Sequence, residues 1–189
     1  GQEIMEDRNF GDSKDKKIQW QYKTKYEDYF LACRDMTWIR RTAPALRSNA
    51  NQNIFHVNES DNVIAWHRWT GNGDDVVIIA NFNNNHFDSY CIGMPRDGKW
   101  IETFNSDSSI YGGNNFGNEG TITSNRNSRD GLPSSACIKL PRMGIVFLSK
   151  SPISFPVNFD ADNDGMDDAW ERRHGLDPNQ STDAAMDPD

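Results

Sequence analysis

The chain has 189 residues, 35 % hydrophobic and 25 % charged, with a formal net charge of −8, enough for one domain of ordinary size with appendages. The whole excess sits in residues 158–189, where nine Asp and Glu171 face only Arg172 and Arg173, while residues 1–157 carry 18 basic and 18 acidic groups. A body without a basic excess argues against a nucleic-acid binder, and no run of about 18 apolar residues exists to cross a membrane as a helix.

Residues 1–25 are polar and without pattern, with a mixed-charge run from Asp12 to Lys17. They lack the basic and apolar regions of a signal peptide and an initiator Met, so the chain reads as a piece of a longer one. Tyr26, Tyr29, Phe30, Cys33, Met36, Thr37 and Arg40 then follow helical spacing and predict a helix over 26–41. Thr24 or Asp28 could cap its start, and Pro44 ends it. Trp38 and Ile39 fall off the main stripe.

From Ile54 the period changes to two. Segments 54–57, 63–69, 76–82, 89–94, 99–105, 121–124, 136–140 and 145–149 read as strands, separated by clusters of Gly, Asn and Asp. About eight short strands imply a mainly β fold, an antiparallel Greek-key sandwich. Val76-Val77-Ile78-Ile79-Ala80 is apolar on both faces and needs a partner outside the sandwich as well as its core. Residues 106–120, rich in Gly and Asn, form a loop of a length that is usually functional or pinned. Cys33, Cys91 and Cys137 show no metal or redox spacing. Cys91 and Cys137 could pair, although two buried thiols is the plainer reading.

Pro152 and Pro156 keep the linker over 151–159 extended. Residues Asp160 to Glu171 then match the twelve-residue calcium template D-x-D-x-D-G-x5-E. Asp160, Asp162 and Asp164 offer carboxylates from alternate positions, Met166 its backbone carbonyl, Asp168 a contact through water, and Glu171 two oxygens. Gly165 supplies the turn. A hard Ca²⁺ ion takes six to eight such oxygens, and without a cation these carboxylates would repel one another. The prolines before the loop exclude a helix-loop-helix sensor.

Other chemistry is weakly signalled. There is no G-x-S-x-G, phosphate-binding or dinucleotide motif. The four His are scattered, and His67, between Trp66 and Arg68, reads as packed or paired. Trp66, Trp69, Trp100, Tyr90 and Tyr111 could stack on sugar rings, though most such residues in a small sandwich are core. Tyr111, in the Gly/Asn loop, is the candidate sugar contact. Asn58-Glu-Ser60 and Asn179-Gln-Ser181 match the glycosylation sequon.

Two resemblances organise these pieces. "DADNDGMDDAWERRHGLDP" followed by "DPD" resembles the thrombospondin type 3-like calcium repeats of bacterial proteins, which implies a calcium-stiffened spacer over 160–189 in a secreted or surface protein. "GQEIMED", "CRDMTWIRRTAPALR", "VIAWHRW", "DDVVIIANFNNN", "GKWIETFNSDSSIYGGNNFGN" and "IKLPRMGIVFL" resemble, in order, the C-terminal end of the α-amylase superfamily, especially its branching-enzyme-like members. That resemblance implies the end of a (β/α)₈ barrel over 1–47, with its rim segment and last helix, and an all-β C-terminal domain over 48–150. A barrel needs about 200–250 residues, so the barrel itself is expected upstream, as the partner on which the helix and the two-sided strand lean.

The family implies a retaining mechanism on α-glucan with a carboxylate pair, lying before "GQE". No catalytic residue is therefore assigned here. Glu3, at the barrel rim, is the one acidic candidate for touching substrate, although such a residue more often holds a loop. The expectation is a non-catalytic C-terminal fragment of an α-glucan-active enzyme that binds Ca²⁺. The alternative is a stand-alone carbohydrate-binding or adhesion sandwich on a calcium-stiffened spacer.

Overall fold

In a computed structural model of the chain, which describes residues 2–7, 11, 16–153, 161–162, 168, 171 and 176–182, the β-rich run 51–149 builds two antiparallel sheets. The strands are β1 (Asn51–Asn58), β2 (Val63–Trp69), β3 (Val76–Asn81), β4 (Phe87–Met94), β5 (Gly98–Asn105), β6 (Thr121–Ser124), β7 (Ser134–Leu140) and β8 (Gly144–Ser149). All eight expected strands form, with ends shifted by a few residues. One sheet has six strands in the order β1-β2-β3-β8-β5-β6; the other is the pair β4-β7.

Strand parity makes the sandwich. Val63, Ala65, Val77, Ile79, Val146, Leu148, Trp100 and Ile122 point from the large sheet onto Tyr90, Ile92, Met94, Ala136, Ile138 and Leu140 of the small one. Alternate residues of the same strands point the other way, and β3 is buried at all six positions. The second face is closed by the chain itself. Helix α1 (Gln21–Lys25) leads into α2 (Glu27–Thr42), and Ile39, Ala43, Ala45 and Leu46 at and beyond its end pack on Val76, Ile78 and Phe104. The cover for β3 that the sequence reading sought in a missing barrel thus comes, at this end, from α2 and the turn Pro44–Leu46.

Three expectations are corrected. The buried side of α2 is Leu31, Asp35 and Ile39, rather than the stripe through Tyr29, which is 44 % exposed. Neither Thr24 nor Asp28 caps the helix, whose first turn follows Tyr26 without a side-chain cap. Cys91 and Cys137 are register partners in β4 and β7 and are joined in a disulfide, 46 residues apart in sequence. Because Tyr90 and Ile92 face inward, Cys91 faces outward, as does Cys137. Closing a loop of that length stabilises the chain by about 4 kcal/mol in the chain-entropy account. Cys33 is a free thiol.

A bulge in β5 sorts its two large aromatics. Register runs Glu102↔Leu148 and then Phe104↔Phe147, so Thr103 is extra. Trp100 therefore lies in the sandwich core and Phe104 on the helix side.

Ile39 is fully buried, so Ile39→Ala is expected to cost about 3 kcal/mol in urea unfolding. A loss below about 1 kcal/mol would show that α2 is not seated on the sheet.

Candidate functional site

The two candidate sugar contacts both sit beside α2. Glu3 lies on a 3-10 turn, Gln2–Ile4, anchored by the fully buried Ile4. It lines a groove of ≈ 290 Å³ with Phe30, Cys33, Arg34, Trp38 and Arg41. Tyr111 ends the 3-10 turn Ser109–Tyr111 within the 106–120 loop. Its hydroxyl donates to Asp35 Oδ2 at 2.8 Å, and its ring stacks on Phe104 at 5.2 Å. Asp35, 1 % exposed, also accepts from Arg34 Nε at 2.7 Å. Glu3 and Tyr111 line separate grooves.

The loop that carries Tyr111 is pinned by its own polar groups. Asp107 Oδ2 accepts the Phe116 N–H at 3.0 Å, Asn105 Nδ2 donates to the Phe116 carbonyl at 3.0 Å, and Glu102 Oε2 accepts the Asn118 N–H at 3.0 Å. Gly112 takes φ +74°, and any side chain at Gly113 would run into the Asp107 backbone. The "YGG" stretch is thus what lets the loop fold back on β5. Beside it opens a polar groove of ≈ 310 Å³ lined by Glu102, Asn105, Ser108, Tyr111, Asn115 and Glu119.

His67, expected from the sequence to be packed or paired, is both, in company that the sequence did not show. His67 is 7 % exposed; its Nε2 lies 2.8 Å from Asp75 Oδ1, while Arg96 Nε donates to Asp75 Oδ2 at 2.6 Å. The ring stacks on Trp69 at 4.3 Å. Burial pushes the imidazole below its ordinary value, ahead of the opposing pull of Asp75; Arg96 already neutralises that carboxylate. The group pins β2 to the β4–β5 turn through the Asp75 carboxylate.

A second polar chain closes the β1 side. His56 Nε2 lies 2.9 Å from the Tyr90 hydroxyl and His56 Nδ1 3.1 Å from Asp130 Oδ2. Asn58 Nδ2 donates to Tyr90 at 3.0 Å and to Asp61 at 2.7 Å. Burial pushes the Tyr90 phenol up. The amide of the Asn58 sequon is occupied by these two bonds.

Of the calcium template, Asp160, Asp164 and Met166 lie outside the described residues. Asp162 and Asp168 are half-buried and Glu171 is fully buried. Asp168 Oδ1 accepts the Ala161 N–H at 2.7 Å, folding position nine of the loop back on position two. Among the described residues no cluster of three His, Cys, Asp or Glu forms a metal site.

Comparison with known proteins matches residues 54–151 to the family model "Alpha amylase, C-terminal all-beta domain", almost the span of the eight strands. The chain is 30 % identical over 142 residues to the 1,4-alpha-glucan branching enzyme GlgB of Pseudomonas putida, covering 71 % of this chain and 19 % of that protein. It is 39 % identical over 88 residues to GlgB of Paraburkholderia xenovorans, covering 47 % and 12 %. It is 32 % identical over 160 residues to GlgB of Rhodopseudomonas palustris, covering 79 % and 21 %. The chain thus spans about a fifth or less of the length of these relatives.

A histidine with a depressed folded-state pKa contributes its stability above the unfolded value of 6.5 and loses it as pH falls through the folded value. Unfolding free energy should therefore decline on acidification below 6.5, and His67→Gln should flatten part of that decline. An unchanged slope in the variant would reject the assignment.

Proposed function

Because this chain belongs to the family of α-amylase C-terminal all-β domains, we propose that it is the non-catalytic C-terminal part of an α-glucan-active enzyme of the hydrolysing or branching type. The observation that carries this is the coincidence of the matched span, 54–151, with the two-sheet unit over 51–149. The strand order β8-β5-β6, with β6 leading to β7 through the Asn125–Ser135 bridge, supports a Greek-key description.

Helix α2 acts in this reading as the last helix of the upstream barrel. Its sandwich-facing side is spent on Ile39 and Asp35. The remaining aromatics support a second contact: Trp20 is 64 % and Tyr29 44 % exposed, and Phe30 and Trp38 line the groove with Glu3. We assign the barrel as the occupant of this side of the helix. Glu3 and Tyr111 are the groups assigned to the substrate side, and the polar groove beside Tyr111 supports that role. No residue of 1–189 is assigned to bond breaking.

The tail is a calcium loop of thrombospondin type 3-like character, held by Asp160, Asp162, Asp164, Met166, Asp168 and Glu171. The donor set is all oxygen, which suits a hard cation, and the Ala161–Asp168 hydrogen bond, which links two positions of the template, supports the reading. The bound ion would neutralise the acidic run and stiffen the segment. An exposed disulfide supports a secreted or surface location, since such bonds persist in oxidising compartments.

Purified 189-residue chain should leave amylose unchanged, with no new reducing ends or branches. The native polypeptide captured with an antibody against the sandwich should be longer and should turn amylose over. Activity in the short chain, or none in the captured one, would overturn the assignment. Calcium titration should show a binding isotherm that is abolished in Asp162→Ala combined with Asp164→Ala; an unchanged isotherm would reject the loop.

A further inference from the structure

The small sheet of the sandwich has only β4 and β7. A two-stranded ribbon is marginally stable by itself, so this layer depends on its packing and on the one covalent tie across it. That tie does not sit in the core. Inward positions Tyr90, Ile92, Ala136 and Ile138 are buried, while the intervening Cys91 is half-exposed and Cys137 exposed on the solvent side. Many structural disulfides are shielded by packing; here both sulfurs belong to residues open to water and to any soluble thiol.

We propose that the Cys91–Cys137 bond is a redox-controlled latch on the β4–β7 layer, opened by thiol–disulfide exchange with a soluble dithiol. The thiolate of the reductant attacks Sγ of Cys137, the more exposed residue of the pair. The S–S bond breaks, and Cys91 leaves as a thiolate that takes a proton from water. The second thiol of the reductant then displaces Cys137 from the mixed disulfide. The protein ends with two thiols and the reductant with one disulfide, two electrons having passed to the protein.

Opening the latch bears on more than the ribbon. β4 carries Tyr90, which bonds His56 and Asn58 of β1, and Gly93, whose N–H is held by Asp130 at 2.8 Å. A loosened β4 therefore weakens the ties of the small sheet to the β1 edge and to the loop before β7. The large sheet and α2 keep their own contacts through β3, β8 and Phe104. The expected product of reduction is a chain that stays folded with one mobile layer.

The test uses the whole chain bearing Cys33→Ser, so that the free thiol does not exchange with the pair. Dithiothreitol is the probe, and thiols are counted by mass after alkylation. Reduction in native buffer should quicken about tenfold for a tenfold rise in dithiothreitol and be insensitive to urea below the unfolding transition. The reduced chain should keep its far-ultraviolet spectrum but be cleaved at least tenfold faster within 87–94 or 134–140, with protection restored by reoxidation. A rate independent of dithiothreitol that grows with urea would show that the bond opens only on unfolding and would overturn the latch. Unchanged protease protection after reduction, or two free thiols in the oxidised chain, would overturn it equally.

Discussion

A strand that is apolar on both faces has to be covered twice, and the rest of the molecule follows from how that is done. β3 is buried at every position, and its neighbours β2 and β8 share the two-sided demand. On one side the answer is a thin layer, two strands tied by a disulfide. On the other it is the end of α2 and the turn that follows it. Each cover is small for the face it closes. The small sheet opposes six strands with two, and α2 contributes chiefly its C-terminal half.

This asymmetry explains where the polar devices are placed. Asp35 is a carboxylate buried on a helix, a costly position unless its oxygens are satisfied. Arg34 and Tyr111 satisfy them, and Tyr111 is in turn held by Phe104 and by the folded-back loop. The helix, the loop and the sheet are thus joined at one buried charge. At the sheet's far side the His56–Tyr90–Asn58 chain ties the β1 edge to β4. The His67–Asp75–Arg96 group ties β2 to the β4–β5 turn. All three groups fasten together elements that hydrophobic contact alone covers incompletely.

The same economy bears on function. A domain whose helix uses one side on its own sandwich and leaves aromatics on the other is suited to sit between two bodies. In the proposed function the second body is an upstream barrel, while the acidic segment beyond β8 carries all of the chain's net charge. The proposed arrangement is a bridge with a neutral body, an aromatic face toward the enzyme and a cation-dependent end.

What the sequence determined by itself is what local pattern encodes. The eight strands, the helix near 26–41, the long 106–120 loop and the acidic twelve-residue template are all read from period, turn residues and spacing. Tertiary structure decided which face each residue takes. The extra residue at Thr103 inverts the parity of β5, sending Trp100 to the core and Phe104 to the helix, and no alternation pattern shows a bulge in advance. Leu31, Asp35 and Ile39 became the buried side of α2 because a partner surface was there, whereas the stripe through Tyr29 is equally helical but faces outward. Cys91 and Cys137 pair because the register of β4 on β7 sets them opposite one another. Periodicity is a property of one segment; facing, pairing and burial are properties of two, and only their meeting settles them.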